Sequence, residues 1–306
     1  MTTDAQYKKS WVITTQIARE ILCHQPGDRL PAVQDYSLWY ESSRGIVQNA
    51  LKKLQDSGAV VLEKRGKIGS FLTSMDERLL FDLADLRYIT GSMPPPLNRH
   101  YSSLASAVCT AITTCPCTFN FAFMHSAENR VAALQRMVYD FAIVSLHSAK
   151  RLVELYPEME IGLVLDDCLY SPPFALLSNT PGATAITDGC TIAVDPKSTD
   201  QYHITMDLCR DKRVHIIHAP YIKCGALFAA GQVDFMVYRE GEHTRSVPPQ
   251  LTPIVSSQNR EMTTPAVLIN RGNYALGRIL SKYLSVSDLR IYQQEVLAGV
   301  RDADFY

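Results

Sequence analysis

The sequence predicts a multi-domain protein in which a small α+β head precedes a larger, two-lobed α/β body. Three observations carry that expectation. Residues 1–74 hold three helical patterns followed by a hairpin pattern. Beyond about residue 86, short apolar runs alternate with helical ones, the order that builds sheets covered by helices. Charge divides at the same place: residues 1–74 carry ten Lys and Arg against seven Asp and Glu, and the rest carries twenty against twenty-four. A basic head on an acidic body suits a nucleic-acid-binding module joined to something else, which the net charge of −1 for the whole chain conceals. A length of 306 residues also suggests two domains rather than one. The expected boundaries are a head at 1–74, a connecting helix at 75–85 and a body at 86–306.

The head is read element by element. A first helix is expected from about Tyr7 to Cys23, with Ile17, Ala18, Ile21 and Leu22 as its apolar stripe. Pro26 and Gly27 break it. Pro31 suits the first position of a second helix, where a missing N–H costs nothing, and Val33, Tyr36 and Trp39 or Tyr40 would face inward. After a short turn at Glu41 and Ser42, Ser42 or Ser43 can cap a third helix. Val47, Ala50, Leu51 and Leu54 form its buried stripe, and Gly58 ends it. The opposite face then presents Arg44, Gln48, Lys52 and Gln55, with Asn49 beside them. Arg can read guanine O6 and N7, Gln or Asn can read adenine N6 and N7, and lysines further along can meet phosphates. A hairpin, Val60–Glu63 and Ser70–Thr73, follows with Arg65-Gly66-Lys67 at its tip, placed to touch an adjacent backbone or minor groove. Taken singly, each residue is explained by a solvated helix face or a basic turn. Taken together, helix, turn, polar second helix and basic hairpin point to a winged helix-turn-helix that binds DNA.

The stretch "GDRLPAVQDYSLWYESSRGIVQNALKKLQDSGAVVLEKRGKIGSFL" resembles the winged helix-turn-helix of the GntR family of bacterial repressors. The resemblance rests on Leu30-Pro31, Ser43-Arg44, Val47, Ala50-Leu51, Leu54, Gly58 and the run Lys67-Ile68-Gly69-Ser70-Phe71. It implies DNA contacts from Ser43, Arg44, Arg65 and Gly66. Gln34 and Gln48 stand where family members often have Arg, so the family's operator rules do not transfer at those two positions. The candidate DNA-binding set is Gln34, Ser43, Arg44, Gln48, Asn49 and Lys52 on the helices, with Arg65, Gly66 and Lys67 on the hairpin. The expected partner is double-stranded DNA carrying an inverted repeat, each half bound by one subunit of a homodimer.

A helix is expected from Met75 to about Ala84, stiff enough to transmit movement. In the body, strands are expected at "LRYIT", Thr118–Met124, Asp140–Leu146, Cys190–Asp195, "RVHIIHA", "DFMVYRE" and "TTPAVLIN", in largely parallel sheets. Helices should lie between them, among them Arg99–Thr113 and "YALGRILSKYL". An internal echo, "AALQRMVYDFAIVSL" against "GALFAAGQVDFMVYR", gives each lobe a helix, an Asp and an apolar strand. A chain passing twice between two such lobes resembles the type 2 periplasmic-binding-protein fold, also the effector domain of LysR-type regulators. A GntR-like head on such a body, with "YDFAIVSLHSA" and "VDFMVYREGE", looks like the YhfZ group of transcriptional regulators.

Ligands of open α/β sheets bind beyond the carboxyl ends of strands. Those positions are Gly91, Ser92, His125, Ser126 and Ser145 in the first lobe, and Ser198, Thr199, Tyr221, Arg239 and Glu240 in the second. Ser126, Ser198 and Thr199 at helix starts would favour a carboxylate or phosphate, although capping alone explains a Ser or Thr there. The implied effector is a small, polar or anionic metabolite. No nucleophile elbow, HExxH or Walker loop is present, and no cofactor or metal is expected. His215 and His218 would point to opposite faces of a strand, and Cys115-Pro116-Cys117 has no second Cys/His pair at zinc spacing. Arg239, Glu240, Glu242 and His243 could perform acid–base work, but a polar loop explains them equally. The eight scattered cysteines are no disulfide framework, and neither a membrane span nor a signal peptide is apparent. The expectation is a cytoplasmic, homodimeric, effector-controlled transcriptional regulator. The alternative is a metabolite-binding enzyme or sensor whose head binds protein.

Overall fold

The computed structural model describes residues 2–239, 250–255 and 258–305. Two compact units divide the chain: Met1–Ile89 with Thr113–Asn120 and Arg278–Leu280 form one, and the remainder forms the other. The first unit starts with α1 (Thr2–Ile21), which begins earlier than periodicity predicts because no Gly or Pro interrupts residues 2–21. α2 (Val33–Trp39) and α3 (Arg44–Asp56) follow, then β1 (Val60–Lys64) and β2 (Ser70–Met75), paired antiparallel, and then α4 (Glu77–Leu83). Pro31 lies outside α2. The Asp35 carboxylate accepts the Ala32 N–H at 2.8 Å and starts the helix at Val33, two residues later. Residues 29–30 are extended instead, because Arg29 bridges Phe71 and Leu30 N donates to Ser70 O.

One apolar core holds this unit together. Ile13, Ile17, Ala18 and Ile21 of α1 face Val47, Ala50 and Leu54 of α3, and all are buried. Each large side chain removed from water there contributes about 1.5–3 kcal/mol. Leu51, expected in the same stripe, is only half-buried. Ser43 is the cap of α3, its hydroxyl accepting the Ile46 N–H, and Gly58 adopts φ 79° just past the helix, where a left-handed turn is needed. Leu80, Phe81 and Ala84 bury α4 against α1.

The second unit carries two five-stranded sheets. The first-lobe sheet runs β4-β3-β5-β12-β6, from β3 (Tyr88–Met93), β4 (Thr118–Phe123), β5 (Phe141–Ser145), β6 (Met159–Val164) and β12 (Pro265–Asn270). The second-lobe sheet runs β9-β8-β10-β7-β11, from β7 (Phe174–Ser178), β8 (Thr191–Val194), β9 (His215–His218), β10 (Phe235–Arg239) and β11 (Gln250–Pro253). The chain therefore crosses between sheets twice, from β6 to β7 and from β11 to β12. The helices are α5 (Arg99–Ile112), α6 (Ala127–Gln135), α7 (Leu146–Leu155), α8 (Thr199–Leu208), α9 (Tyr221–Ala229), α10 (Asn259–Thr263), α11 (Tyr274–Tyr283) and α12 (Val286–Ala298).

The sheets are mixed, which corrects the expectation of largely parallel ones. β3–β5, β8–β9 and β8–β10 are parallel, but β7 and β12 each run antiparallel to both neighbours. Those two strands arrive from the opposite sheet, so no helical crossover within a sheet forces them parallel. α7, β6, β7, β11, α10 and α12 were not anticipated. α7 begins at Leu146 directly after β5 ends at Ser145, leaving no loop to announce it.

The internal echo has a physical counterpart. Asp140, before β5, accepts the Thr90 N–H of β3 on its carboxylate at 2.8 Å and donates its own N–H to Thr90 O. Asp234, before β10, does the same to Thr191 of β8, at 2.7 Å through the carboxylate. Each Asp pins the start of the neighbouring parallel strand in register. Asp234→Ala should therefore lower the stability of the protein by about 1–3 kcal/mol, and Asp234→Asn, which keeps an acceptor, by less. Urea unfolding midpoints of the two variants provide the measurement.

Candidate functional site

Two sets of residues were singled out, and each lies within one unit. In the first unit Gln34, Ser43, Arg44, Gln48, Asn49, Lys52, Arg65, Gly66 and Lys67 are all exposed. Arg44 Nε donates to Gln34 Oε1 at 2.5 Å, so α2 steadies the first side chain of α3. Lys53 Nζ is turned toward Ser10 Oγ on α1, at 3.1 Å. Arg65 is held at the hairpin, 2.7 Å from Glu63 and with its guanidinium 4.4 Å from the centre of the Phe71 ring. That contact lowers the pKa of Glu63 and raises that of Arg65. Lys67, by contrast, makes no ion pair among the described residues.

In the second unit a cavity of about 450 Å³ opens between the two lobes. His125, Ser126, Ser198, Thr199, Tyr221 and Arg239 line it, as the strand-end argument anticipates. Gly91, Ser92 and Ser145 do not. A Cβ on Gly91 would lie 2.4 Å from the Phe141 ring, so this glycine serves the packing of β3 on β5. Ser92 is buried with its hydroxyl 3.4 Å from Phe141 O. Ser145 caps α7, accepting the Ser148 N–H at 3.0 Å. Glu240, Glu242 and His243 lie outside the described residues.

Sequence reasoning missed two charged residues of the wall, Asp200 and Arg130. Asp200, in the first turn of α8, accepts the Ser145 and Ser148 hydroxyls on Oδ1 at 2.9 and 2.7 Å. Its Oδ2 accepts Arg239 Nη2 at 2.7 Å, and both side chains are almost out of water. Arg239 Nη1 donates to Pro172 O on the first inter-sheet crossing and to Met262 O on the second. The guanidinium lies 3.9 Å from the centre of the Phe174 ring. A carboxylate one residue after a Thr at a helix start reads as a partner of the helix dipole, which is why Asp200 passed unnoticed.

Arg130, on α6, is 2% exposed. Nη1 donates to Met124 O at 2.6 Å and Nη2 to the Tyr170 hydroxyl at 3.3 Å, while Nε is buried without a hydrogen-bond partner. No carboxylate pairs with Arg130 among the described residues. Across the cavity, Thr199 Oγ1 at the start of α8 is likewise buried and without a partner, and the Ser198 side chain makes no bond to that first turn. His125 has its pKa lowered, first by burial and then by Arg130. The wall therefore offers one uncompensated buried cation and one open hydroxyl, an arrangement that accepts an anion.

A model of the YhfZ C-terminal domain matches residues 76–305, three quarters of the sequence. The chain belongs to the YhfZ family. A helix-turn-helix domain model matches residues 25–72, which include α2, α3 and the hairpin. The Escherichia coli (strain K12) relative, described as uncharacterized protein YhfZ, is 28% identical over 302 residues, covering 97% of this chain and 98% of that one. The crystal structure of YhfZ from Shigella flexneri superposes with a TM-score of 0.61 at 22% identity, over 75% of this chain and 98% of that one, and shares the fold. A periplasmic substrate-binding protein of an ABC transporter from Coxiella burnetii superposes at a TM-score of 0.49 and 12% identity. This YhfZ-family protein thus joins a helix-turn-helix domain to a C-terminal α/β domain.

Other candidates carry less. Cys115 and Cys117 have their sulfurs 3.2 Å apart, and that contact, followed by burial, pushes the Cys115 thiol pKa up. Burial pushes Cys224 up to about 12. Among the described residues no group of three or more His, Cys, Asp or Glu is placed to hold a metal ion, and no helix is long and apolar enough to cross a membrane. His215 and His218 sit on the exposed edge strand β9. For the YhfZ-family body, Asp200→Ala should cost about 3–5 kcal/mol because it removes the carboxylate that buried Arg239 pairs with, whereas Asp200→Leu combined with Arg239→Met should cost less. Thermal unfolding of the single and double variants measures the difference.

Proposed function

We propose that this protein is a GntR-type transcriptional regulator, cytoplasmic and homodimeric, whose DNA binding is set by a small anionic metabolite held in the periplasmic-binding-protein-like body. The observation that carries the DNA reading is the exposed row on α3. Arg44, Gln48, Asn49 and Lys52 stand in water while Val47, Ala50 and Leu54 are buried behind them. A side chain needed only for packing would not be left there. Gln34 holds Arg44 at the N-terminal end of the helix, the end that reaches base edges in helix-turn-helix proteins. Lys52 and Lys67 suit phosphates, and Arg65 with Gly66 forms the wing tip.

Two-fold symmetry would present two heads to an inverted repeat. The effector reading rests on the cavity and its unpaired Arg130. An anion gripped from both lobes favours a closed body over an open one, and that difference in affinity is what would change the presentation of the heads.

Gel shift with DNA from upstream of the gene tests the reading. A sequence-specific, salt-sensitive complex is expected, and its absence at low salt would refute it. Arg44→Ala should cost about 1–3 kcal/mol and relax preference at a single operator position. Lys67→Ala should weaken all sequences alike and reduce the salt slope by about one.

A further inference from the structure

The cavity wall specifies more than a negative charge. Its charged lining residues are Arg130, Asp200 and Arg239. Asp200 and Arg239 neutralise each other at 2.7 Å, which leaves Arg130, among the described residues, as the one cation of the wall without a counter-charge. His125 adds no charge near neutrality, because burial favours its neutral form. A single uncompensated cation in a buried wall is matched by one anionic group, and a second anion there would be desolvated without a partner.

Among the described residues, no carboxylate of the wall is open to receive an ammonium group. Both oxygens of Asp200 are engaged, one by two hydroxyls and the other by a guanidinium. Asp195 is buried, with one oxygen accepting Lys197 N and the other Tyr221 N, and does not line the cavity. Glu128 on α6 does not line it either. An amino acid would therefore bring a buried ammonium that none of the described residues of the wall satisfies.

Much of the remaining wall is apolar. Leu97, Tyr101, Phe174, Met236 and Tyr238 contribute to it, with Ile222 on α9. On the same helix, Gly225, Ala226 and Ala229 turn toward the cavity at the i, i+3, i+4, i+7 spacing that starts from Ile222. All three are small residues. A Cβ on Gly225 would meet nothing within 4 Å, and a glycine inside a helix weakens it, so neither packing nor helix propensity accounts for its presence. The stripe leaves room for the body of a ligand.

We propose that the effector is a monocarboxylate with an apolar or aromatic body and no free amino group, its carboxylate received by Arg130 and Thr199 and its body by the small-residue face of α9. This rests on the effector-controlled reading above and names the chemical class that this site takes. Arg130 and Thr199 belong to different lobes and both line the cavity, so a carboxylate held by the two would draw one donor from each lobe. Gly225 decides how large a body the site admits.

The test uses the full-length protein and isothermal titration with five probes: 3-phenylpropionate, 4-methylpentanoate, phenylalanine, 3-phenylpropanamide and inorganic phosphate. Binding by at least one of the two acids is expected, with phenylalanine, the amide and phosphate weaker by about tenfold or more. Arg130→Met should abolish acid binding, and Arg130→Lys, which keeps the charge, should retain part of it. Arg130 also bonds to Met124 and Tyr170, so Gly225→Leu is the companion variant: it should lose 3-phenylpropionate while keeping the melting temperature of the unliganded protein. Phenylalanine or phosphate binding as tightly as the acids, undiminished acid binding in Gly225→Leu, or no heat from either acid would each overturn the proposal. Gel shift read separately distinguishes the failures. Loss of the ligand class leaves DNA binding standing, and acid binding without DNA binding removes the regulator instead.

Discussion

A single guanidinium ties both inter-sheet crossings of the body to the cavity wall. Arg239, at the end of β10, bonds the backbone of both inter-sheet crossings through Pro172 O and Met262 O, and pairs with Asp200 at 2.7 Å. Asp200 in turn receives two hydroxyls from the start of α7 in the other lobe. A buried ion pair is weak evidence of net stability, because desolvation offsets much of its attraction. Its effect here is to specify geometry: each charge is satisfied only when both crossings and both lobes are in place. The cavity wall inherits its shape from that condition.

The same pair sets the electrostatics of the cavity. Because Asp200 is committed to Arg239 and the serines, it is not available to Arg130, whose buried Nε has no partner. Placing Arg130 under Met124 O and the Tyr170 hydroxyl fixes its orientation without neutralising it. One guanidinium of the wall is thus paired with a carboxylate and the other, among the described residues, is not, a division that follows from which side chains are already bonded.

The head follows simpler physics. Its core centres on a helix stripe on α1 facing a helix stripe on α3, with Tyr36, Leu72, Leu80 and Phe81 also buried, and the outer face of α3 stays exposed. Gln34 bonded to Arg44 shows a short second helix positioning the first residue of the third. Neither residue is used by the core, so substitutions at the pair leave the packing of the unit intact.

Much of this was legible before any coordinates. A 3.6-residue period placed Val47, Ala50 and Leu54 inside and left Arg44, Gln48 and Lys52 outside, because helix geometry alone decides which side chains share a face. Ser43 as a cap and Gly58 as a stop were equally local, and the strand-end rule brought His125, Ser126, Thr199 and Arg239 to one cavity. What only the tertiary structure decided was pairing across long separations. Residue 239 had to meet residues 172, 200 and 262 before its charge was known to be spent. Arg130 sits in "AENRVAALQRM", where it reads as a solvated helix residue, and only packing buries it. Local patterns follow from steric rules that act within a few residues, whereas charge compensation depends on which distant groups the folded chain brings within about 3 Å of one another.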